Sequence, residues 1–504
     1  MQGIFHAMRR GEAEAIYEAG REAVVEALLE LSGRFAELSG KISEQTAEVK
    51  GLHGQVDELE RQAGSDSSNS SMAPSSDPPR SRAERRRLAR EAYKRSMRKS
   101  GGQPGHQGKA RELVTPERVD QRREHLPDCC ECGHEFDGSE ERVGDPVCHQ
   151  QYELPAAGPL VFEHGRVRLR CPACQRATLA VLSAGAGSGF GPRVDAHIAM
   201  LAGVFRLSRD QVRQVLVEVF GIPASKGSVD NAIMRMSAIM ADPWAELREA
   251  IAKAQVIHAD ETSWRLRGAQ QWLWVAASAL VACFRIDPHR SQAAAKELIG
   301  EEFGGFVISD RYCGYHFLDV LQQQLCWCHV IRQLVEISQR TGVTGRRGEQ
   351  LVTLAREVIA AHRSYLQDGR DADWLAEQLA PLREQIQTLL EQCAAGTHQR
   401  TANFSPGLLE EYEALWTFAD VPDLNIDPTN NAAERAVRHA VLQRRLQGGT
   451  QSDHGSRWIE RIQSVRETCR LQQRPVLGWL KQAATSAHNG LPIPTLLPAT
   501  AQGP

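Results

Sequence analysis

Two apolar runs each end on an aspartate. Gln255-Val256-Ile257-His258-Ala259 leads to Asp260, and Gly305-Phe306-Val307-Ile308-Ser309 leads to Asp310. Runs of this composition read as buried strands. A carboxylate at the tip of a central strand is rigidly held and still reaches solvent. Adjacent strands lie about 4.8 Å apart, so two such tips can share one metal site. A third acid, Glu434, sits in the helix-forming stretch Asn430-Asn431-Ala432-Ala433-Glu434-Arg435-Ala436-Val437-Arg438. There Ala433, Val437 and Ala440 share a face that can pack on a sheet, while Asn431, Glu434 and Arg438 share another. Two Asp and one Glu are hard oxygen donors suited to Mg²⁺ or Mn²⁺. A pair of such ions roughly 3.5–4 Å apart activates a water or a 3′-hydroxyl and stabilises the leaving oxygen in phosphoryl transfer. Singly, each acid reads as a cap or a surface charge. The three gain meaning only as a set.

A second constellation is made of thiols. Cys129/Cys132 and Cys171/Cys174 form two Cys-x-x-Cys pairs in the settings CCECG and CPACQ. Thiolates at that spacing can hold one Zn²⁺ tetrahedrally, and four of them leave no open position, so the metal would be structural. The strand-like segments VGDPVCHQQYELP and PLVFEHGRVRLR between the pairs are expected to form a hairpin that brings the knuckles together. Cys130 and Cys148 are additional thiols, and unrelated free cysteines are the alternative reading. Twelve cysteines in 504 residues do not suggest a disulfide scaffold.

Other elements must carry and position these groups. Val24, Leu28, Leu31, Phe35, Leu38, Ile42, Val49, Leu52, Val56 and Leu59 follow a heptad seam interrupted only by Gln45, the pattern of a coiled coil. Self-association is one reading, and a helix folded back on the chain is the other. The stretch GSDSSNSSMAPSSDPP is a linker. From Arg80 to Arg111 there are twelve Lys or Arg against two Glu, although the whole chain has a net charge of −3. Arg85, Arg86, Arg87, Lys94, Arg95, Arg98 and Lys99 in this arm suit phosphate neutralisation. Ser208 and Ser225 are helix-start signals separated by Gly221 and Pro223. They describe either a helix-turn-helix or a plain helical subdomain. QWLWVAAS and LVACFRID read as a hairpin, and LVTLAREVIAAHRSYL and ADWLAEQLAPLREQIQTLLEQC read as helices. The first residues lack a signal-peptide core, and the longest near-apolar run, Trp272 to Phe284, is too short to span a bilayer. A cytosolic location is expected.

Several ordered motifs resemble the IS66 family of bacterial insertion-sequence transposases. They are SSNSS with its Pro/Ser stretch, GGQPGHQGKAR, the two cysteine knuckles, HADETSWR, WLWVAAS, SDRYCGY, QLCWCHVIRQ, TNNAAERAVR and GGTQSDHGSRWIERIQSVRETCRLQQRPVLGWL. Together they cover roughly residues 65 to 485. The resemblance implies a ribonuclease H-like core with a DDE triad, falling on Asp260, Asp310 and Glu434, which are 50 and 124 residues apart. Where the family usually has Ala between Trp and His, this chain has Cys328. Cys326 and His329 beside it suggest a second zinc, and a strand with core-packed thiols is the preferred reading. Glu261 follows the first catalytic Asp, but a strand neighbour points the other way and is left out of the ligand set. Arg435 and Arg438 either hold DNA phosphates or pair with acids of the fold.

The expected architecture is multidomain α+β. It comprises a coiled-coil or helical segment over 1–63, a disordered Ser/Pro-rich and basic linker over 64–115, and a small zinc-binding domain over 116–185. A helix-turn-helix-like DNA-binding region over 186–250 precedes a ribonuclease H-like α/β catalytic core over 251–445, with a helical insertion at about 333–425 and a C-terminal helical region over 446–504. The expected partners are double-stranded DNA (the element's terminal repeats and target DNA), further copies of the chain, and accessory proteins of the same element. The expected location is the bacterial cytoplasm, with the nucleoid, and no membrane. Two other readings are a catalytically inactive DNA-binding regulator and a ribonuclease H-like nuclease without transposition activity.

Overall fold

Serine hydroxyls set the starts of two helices where the sequence places them. The computed structural model describes residues 18–26, 33, 37, 40, 41 and 113–498, apart from 140, 155–157, 183–186, 188, 397 and 398. The Gln211 amide donates to Ser208 Oγ at 3.3 Å, and the Ser208 amide donates to Gln211 Oε1 at 2.9 Å. Ser225 and Ser228 make the same reciprocal exchange at 3.1 and 2.9 Å. Each capping box satisfies two amides that a helix start leaves without partners. The heptad positions from Leu28 to Leu59, the Ser/Pro stretch, and the arm holding Arg85, Arg86, Arg87, Lys94, Arg95, Arg98 and Lys99 lie outside the described residues.

The chain divides into two compact units, which are described separately. The larger comprises Pro79–Val307, Tyr312–Leu318 and Asn431–Pro504. It begins with the short antiparallel strands β1 (Arg168–Arg170) and β2 (Ala177–Leu179). Helices follow: α1 (Pro192–Ala199), α2 (Arg209–Glu218), α3 (Lys226–Ile239) and α4 (Ala241–Ala252). Then come β3 (Val256–Leu266), β4 (Ala269–Ala277), β5 (Ala282–Asp287), α5 (Gln292–Ile299) and β6 (Phe306–Ser309), whose last two residues belong to the smaller unit.

The smaller unit includes Ile308–Arg311 and Asp319–Asn430. It holds β7 (Gln323–Leu325) and the helices α6 (Trp327–Ser338), α7 (Gly342–Asp368), α8 (Ala372–Ala394) and α9 (Gln399–Glu410). Consecutive helices α6 to α9 pack pairwise. Trp327, the first residue of α6, and Trp416 meet edge to face at 5.3 Å. The larger unit closes with α10 (Asn431–Gln447), α11 (Asp453–Leu471) and α12 (Val476–His488).

The five strands of the mixed sheet run in the order β5-β4-β3-β6-β7. β3, β4 and β5 form an antiparallel meander, so the expected hairpin of QWLWVAAS and LVACFRID is present. Three expectations are corrected. β3 does not end at Asp260: it continues to Leu266, with Asp260 opposite Val275 and Glu261 opposite Trp274. The polar Glu261-Thr262-Ser263 step looked like a strand end, but β4 supplies ladder partners along its whole length. Cys326 to His329 is not a strand: β7 stops at Leu325, and α6 starts at Trp327 with Cys326 as its N-cap. Finally, the hairpin of the cysteine region is not built from VGDPVCHQQYELP. It is β1–β2, which flanks the second knuckle.

The edge strand β5 is closed by side chains. The amides of Ala282, Phe284 and Ile286 donate to Thr468 Oγ1, Ser464 Oγ and Glu460 Oε1 at 3.0, 2.8 and 2.7 Å. Two strand residues rise about 6.6 Å and four helix residues about 6 Å, so a helix read at every fourth position matches alternate strand amides. α11 thereby blocks an edge that would otherwise be open to pairing.

His439, on α10, is half-buried in the larger unit. Its ring nitrogens contact Val204 O at 2.8 Å and Gln463 Oε1 at 3.0 Å. Burial, with Arg466 and Arg206 nearby, pushes the imidazole down to about 4. The unfolded chain, titrating near 6.5, binds more protons between those values. This contribution is therefore fully present above pH 6.5 and is lost as pH falls towards 4. Allowing for partial exposure, about 2 kcal/mol of stability is expected to disappear across that window. Melting of wild type and His439→Gln at pH 7.5 and 5 checks this: an equal acid loss in both proteins would contradict it.

Candidate active site

Asp260 is the fifth residue of β3, partly buried. Its Oδ1 accepts the Glu261 amide at 2.8 Å, which fixes the orientation of the carboxylate. Asp310 directly follows β6, is also partly buried, and lies in the smaller unit. The Ser309 hydroxyl donates to its carbonyl at 2.9 Å. Next to it, Arg311 donates to Glu411 at 2.6 Å and lies 5.3 Å from the Phe404 ring, which anchors the chain where it leaves the strand.

Glu434 stands in the first turn of α10, where an acid suits the positive end of the helix dipole. The apolar face is as expected: Ala433, Val437 and Ala440 are buried, with Ala436 beside them. That face packs on β3 and β4. Arg444 Nη1 donates to Thr262 Oγ1 at 3.1 Å and also to Ser263, tying Glu434's helix to Asp260's strand. Arg435 and Arg438 are exposed.

Glu261 is accounted for by the fold. Only 1% of its side chain is exposed. Arg290 Nε donates to its Oε1 at 2.8 Å, and the Tyr315 hydroxyl donates to its Oε2 at 3.1 Å. The Arg290 guanidinium stacks 3.8 Å from the Tyr312 ring centre and 5.2 Å from that of Trp272, a cation–π arrangement. The Tyr312 hydroxyl donates back to Arg290 O. Trp274 contacts both tyrosines, at 6.2 Å each. This clamp holds the chain two residues beyond Asp310. Sequence reading missed it: Tyr312 and Tyr315 belong to the SDRYCGY motif, but nothing marked Arg290.

The cysteines divide by setting. The first pair sits on a tight turn in which the Gly133 amide donates to Cys130 O at 2.9 Å and the Cys130 amide to His134 O at 2.8 Å. In the second, the Cys171 amide donates to Arg176 O at 2.8 Å and the Gln175 amide to Cys171 O at 2.9 Å. Cys129, Cys132 and Cys174 are exposed, and Cys171 is partly buried. Among the described residues, no three His, Cys, Asp or Glu side chains are grouped to hold a metal ion. Cys326 is buried in the smaller unit, where its Sγ accepts the Asn430 amide at 3.1 Å. Its thiol is pushed well up, first by the neighbouring Cys328 and then by burial.

Residues 187–457, which carry Asp260, Asp310 and Glu434, match the Transposase IS66 family. The chain belongs to that family. In this IS66 transposase-family protein, residues 9–112 also match a family of unknown function, DUF6444. The protein is similar to the uncharacterized protein y4hP of Sinorhizobium fredii, 23% identical over 377 residues that span 67% of each chain. It is also similar to the uncharacterized protein y4qI of the same organism, 24% identical over 288 residues, 50% of this chain and 51% of the relative. Among the described residues no helix is long and apolar enough to cross a membrane.

Proposed function

We propose that this chain is a DNA transposase that binds the ends of its element, cleaves a phosphodiester at each end and joins the freed 3′-hydroxyl to target DNA. The observation that carries the reading is that all three acids, Asp260, Asp310 and Glu434, fall inside the segment matching the family. The meander β3–β4–β5, extended by β6 and β7 and covered by helices, supports a ribonuclease H-like core. Three carboxylates are a hard donor set that fits Mg²⁺ or Mn²⁺. When bound, such ions would supply Lewis-acid activation of the attacking and leaving oxygens. The chain's own part is to hold the acids: Asp260 by its amide contact and ladder, Asp310 by the anchored Arg311, and Glu434 by a helix pinned through Arg444. Synapsis of two ends calls for at least two protomers, which the heptad seam would supply in the cytoplasm, with or without accessory proteins of the element.

Labelled duplex carrying the element's ends, incubated with Mg²⁺ or Mn²⁺ and target DNA, tests this reading. Cleavage at the end followed by joined product is expected. Binding without cleavage under either metal would instead support a DNA-binding regulator, and cleavage without joining a nuclease.

We also propose that Cys129, Cys132, Cys171 and Cys174 hold a structural zinc, a reading supported by two thiol pairs each on a tight turn. Purified protein is expected to carry about one zinc per chain and to lose it in Cys129→Ser and Cys174→Ser. Metal analysis finding no zinc in a fully folded preparation would contradict this.

A further inference from the structure

We propose that the exposed face of α10, continued by the β3–β4 turn, is a track for the phosphate backbone of double-stranded DNA, formed by Arg435, Arg438, Arg445, Arg265 and Arg267 over a half-buried Arg444. The inference rests on the reading of the chain as a protein that acts on DNA and identifies a surface that would hold it.

The helix geometry comes first. Arg435, Arg438, Leu442 and Arg445 recur at intervals of three, four and three, so they lie along one stripe, and all four are exposed. The buried stripe of Ala433, Ala436, Val437 and Ala440 faces the sheet instead. From Arg435 to Arg445 the stripe is about 15 Å long.

The far end is joined to the β3–β4 turn by backbone. The Thr450 amide donates to Arg265 O at 2.8 Å, and the Arg267 amide to Thr450 O at 2.8 Å. Gly449, at φ +104°, makes this approach possible, since a Cβ there would sit 2.3 Å from Arg265 O. Arg445 and Arg265 both lie within electrostatic reach of Arg444. Burial, then Arg445 and Arg265, lower the Arg444 guanidinium from its ordinary value. Like charges so gathered repel, and a polyanion relieves the repulsion.

No ion pair is made by these six arginines among the described residues, whereas others of the same unit have acids: Arg285 with Asp287, Arg290 with Glu261, Arg457 with Glu460 and Arg470 with Glu467. Arg267 also occupies the first position of a two-residue turn with φ +51°, followed by Gly268 at +81°. Asn or Asp suits that position better than Arg. At this hairpin tip the Arg267 Nε donates to Gln451 O at 3.2 Å. Cations in the last turn of a helix are favoured by its dipole, which accounts for Arg444 and Arg445 alone. It does not account for Arg435 at the opposite, positive end. Phosphate contacts from such a stripe position a duplex and carry no sequence information directly, so a track that acts through them binds without sequence preference.

The test uses the full chain with Arg265→Ala, Arg267→Ala and Arg445→Ala combined, all remote from Glu434 in sequence. Binding to a random-sequence duplex is measured by fluorescence anisotropy across a salt series, without divalent metal. The slope of log affinity against log salt is expected to fall by about 2–3, with affinity lower by roughly 10- to 100-fold at low salt. An element-end duplex is expected to show the same change. The matching triple Lys variant should keep the wild-type slope, and an unchanged melting curve establishes that the Ala triple is folded. Wild-type slope and affinity in a folded Ala triple would overturn the proposal, as would a Lys triple that loses as much as the Ala triple. Because nothing is cut in this assay, an enzyme that never cleaves leaves the result intact, and a lost slope says nothing for cleavage.

Discussion

Asp260→Asn, Asp310→Asn and Glu434→Gln should each lower metal-dependent strand cleavage by about 10³-fold or more while leaving binding of the element's ends within a few-fold of wild type. Each substitution keeps side-chain size and removes one anionic ligand. The binding surfaces proposed above lie on other residues, so affinity reports that the variants are folded and the rate reports the site. The three need not lose equal amounts. Asp260 sits within a paired strand, Asp310 just past a strand end and Glu434 in a helix's first turn. The measurement is single-turnover cleavage of labelled duplex, and a variant that cuts at the wild-type rate would remove its residue from the site.

Glu261→Ala should strongly destabilise the fold although Glu261 is not a proposed ligand. It removes the carboxylate to which both Arg290 and the Tyr315 hydroxyl donate. Breaking a buried ion pair by removing one partner costs about 3–5 kcal/mol, and the partial exposure of Arg290 places the expectation near the lower end. A loss of about 3 kcal/mol should appear in denaturant unfolding as a lower midpoint with an unchanged slope. Arg290→Ala removes the other partner of the same ion pair and should also destabilise. Activity should fall in both, since the clamp holds the chain two residues from Asp310 and includes the neighbour of Asp260. If Glu261→Ala is as stable as wild type yet inactive, Glu261 acts as a ligand and its assignment to the clamp is wrong.

The parts of this protein legible in its sequence are those governed by local rules. Ser208 and Ser225 start their helices because a cap needs only the next three residues. Ala433, Val437 and Ala440 are buried because a single period of 3.6 dictates one face. Asp310 follows a short apolar strand that ends where the apolar run ends. What was misread depends on partners far away. The polar end of β3 stays in the sheet because β4 is long enough to pair with it. Cys326 caps a helix, and its thiol takes the Asn430 amide from 104 residues on. Glu460, Ser464 and Thr468 meet the amides of β5, more than 170 residues earlier, and nothing local to α11 marks them for it. Arg290 carried no signal at all, because its role is set by an acid on β3 and an aromatic pair beyond β6.

The central claim is that three acids, 50 and 124 residues apart, share one metal centre. Fe²⁺ can stand in for Mg²⁺, and with ascorbate and peroxide it cuts polypeptide close to where it is bound. The account predicts fragments whose ends map beside Asp260, Asp310 and Glu434, suppressed together by excess Mg²⁺ and by Asp260→Asn. Cuts confined to other positions, or cuts near one acid that persist when another is removed, would contradict it.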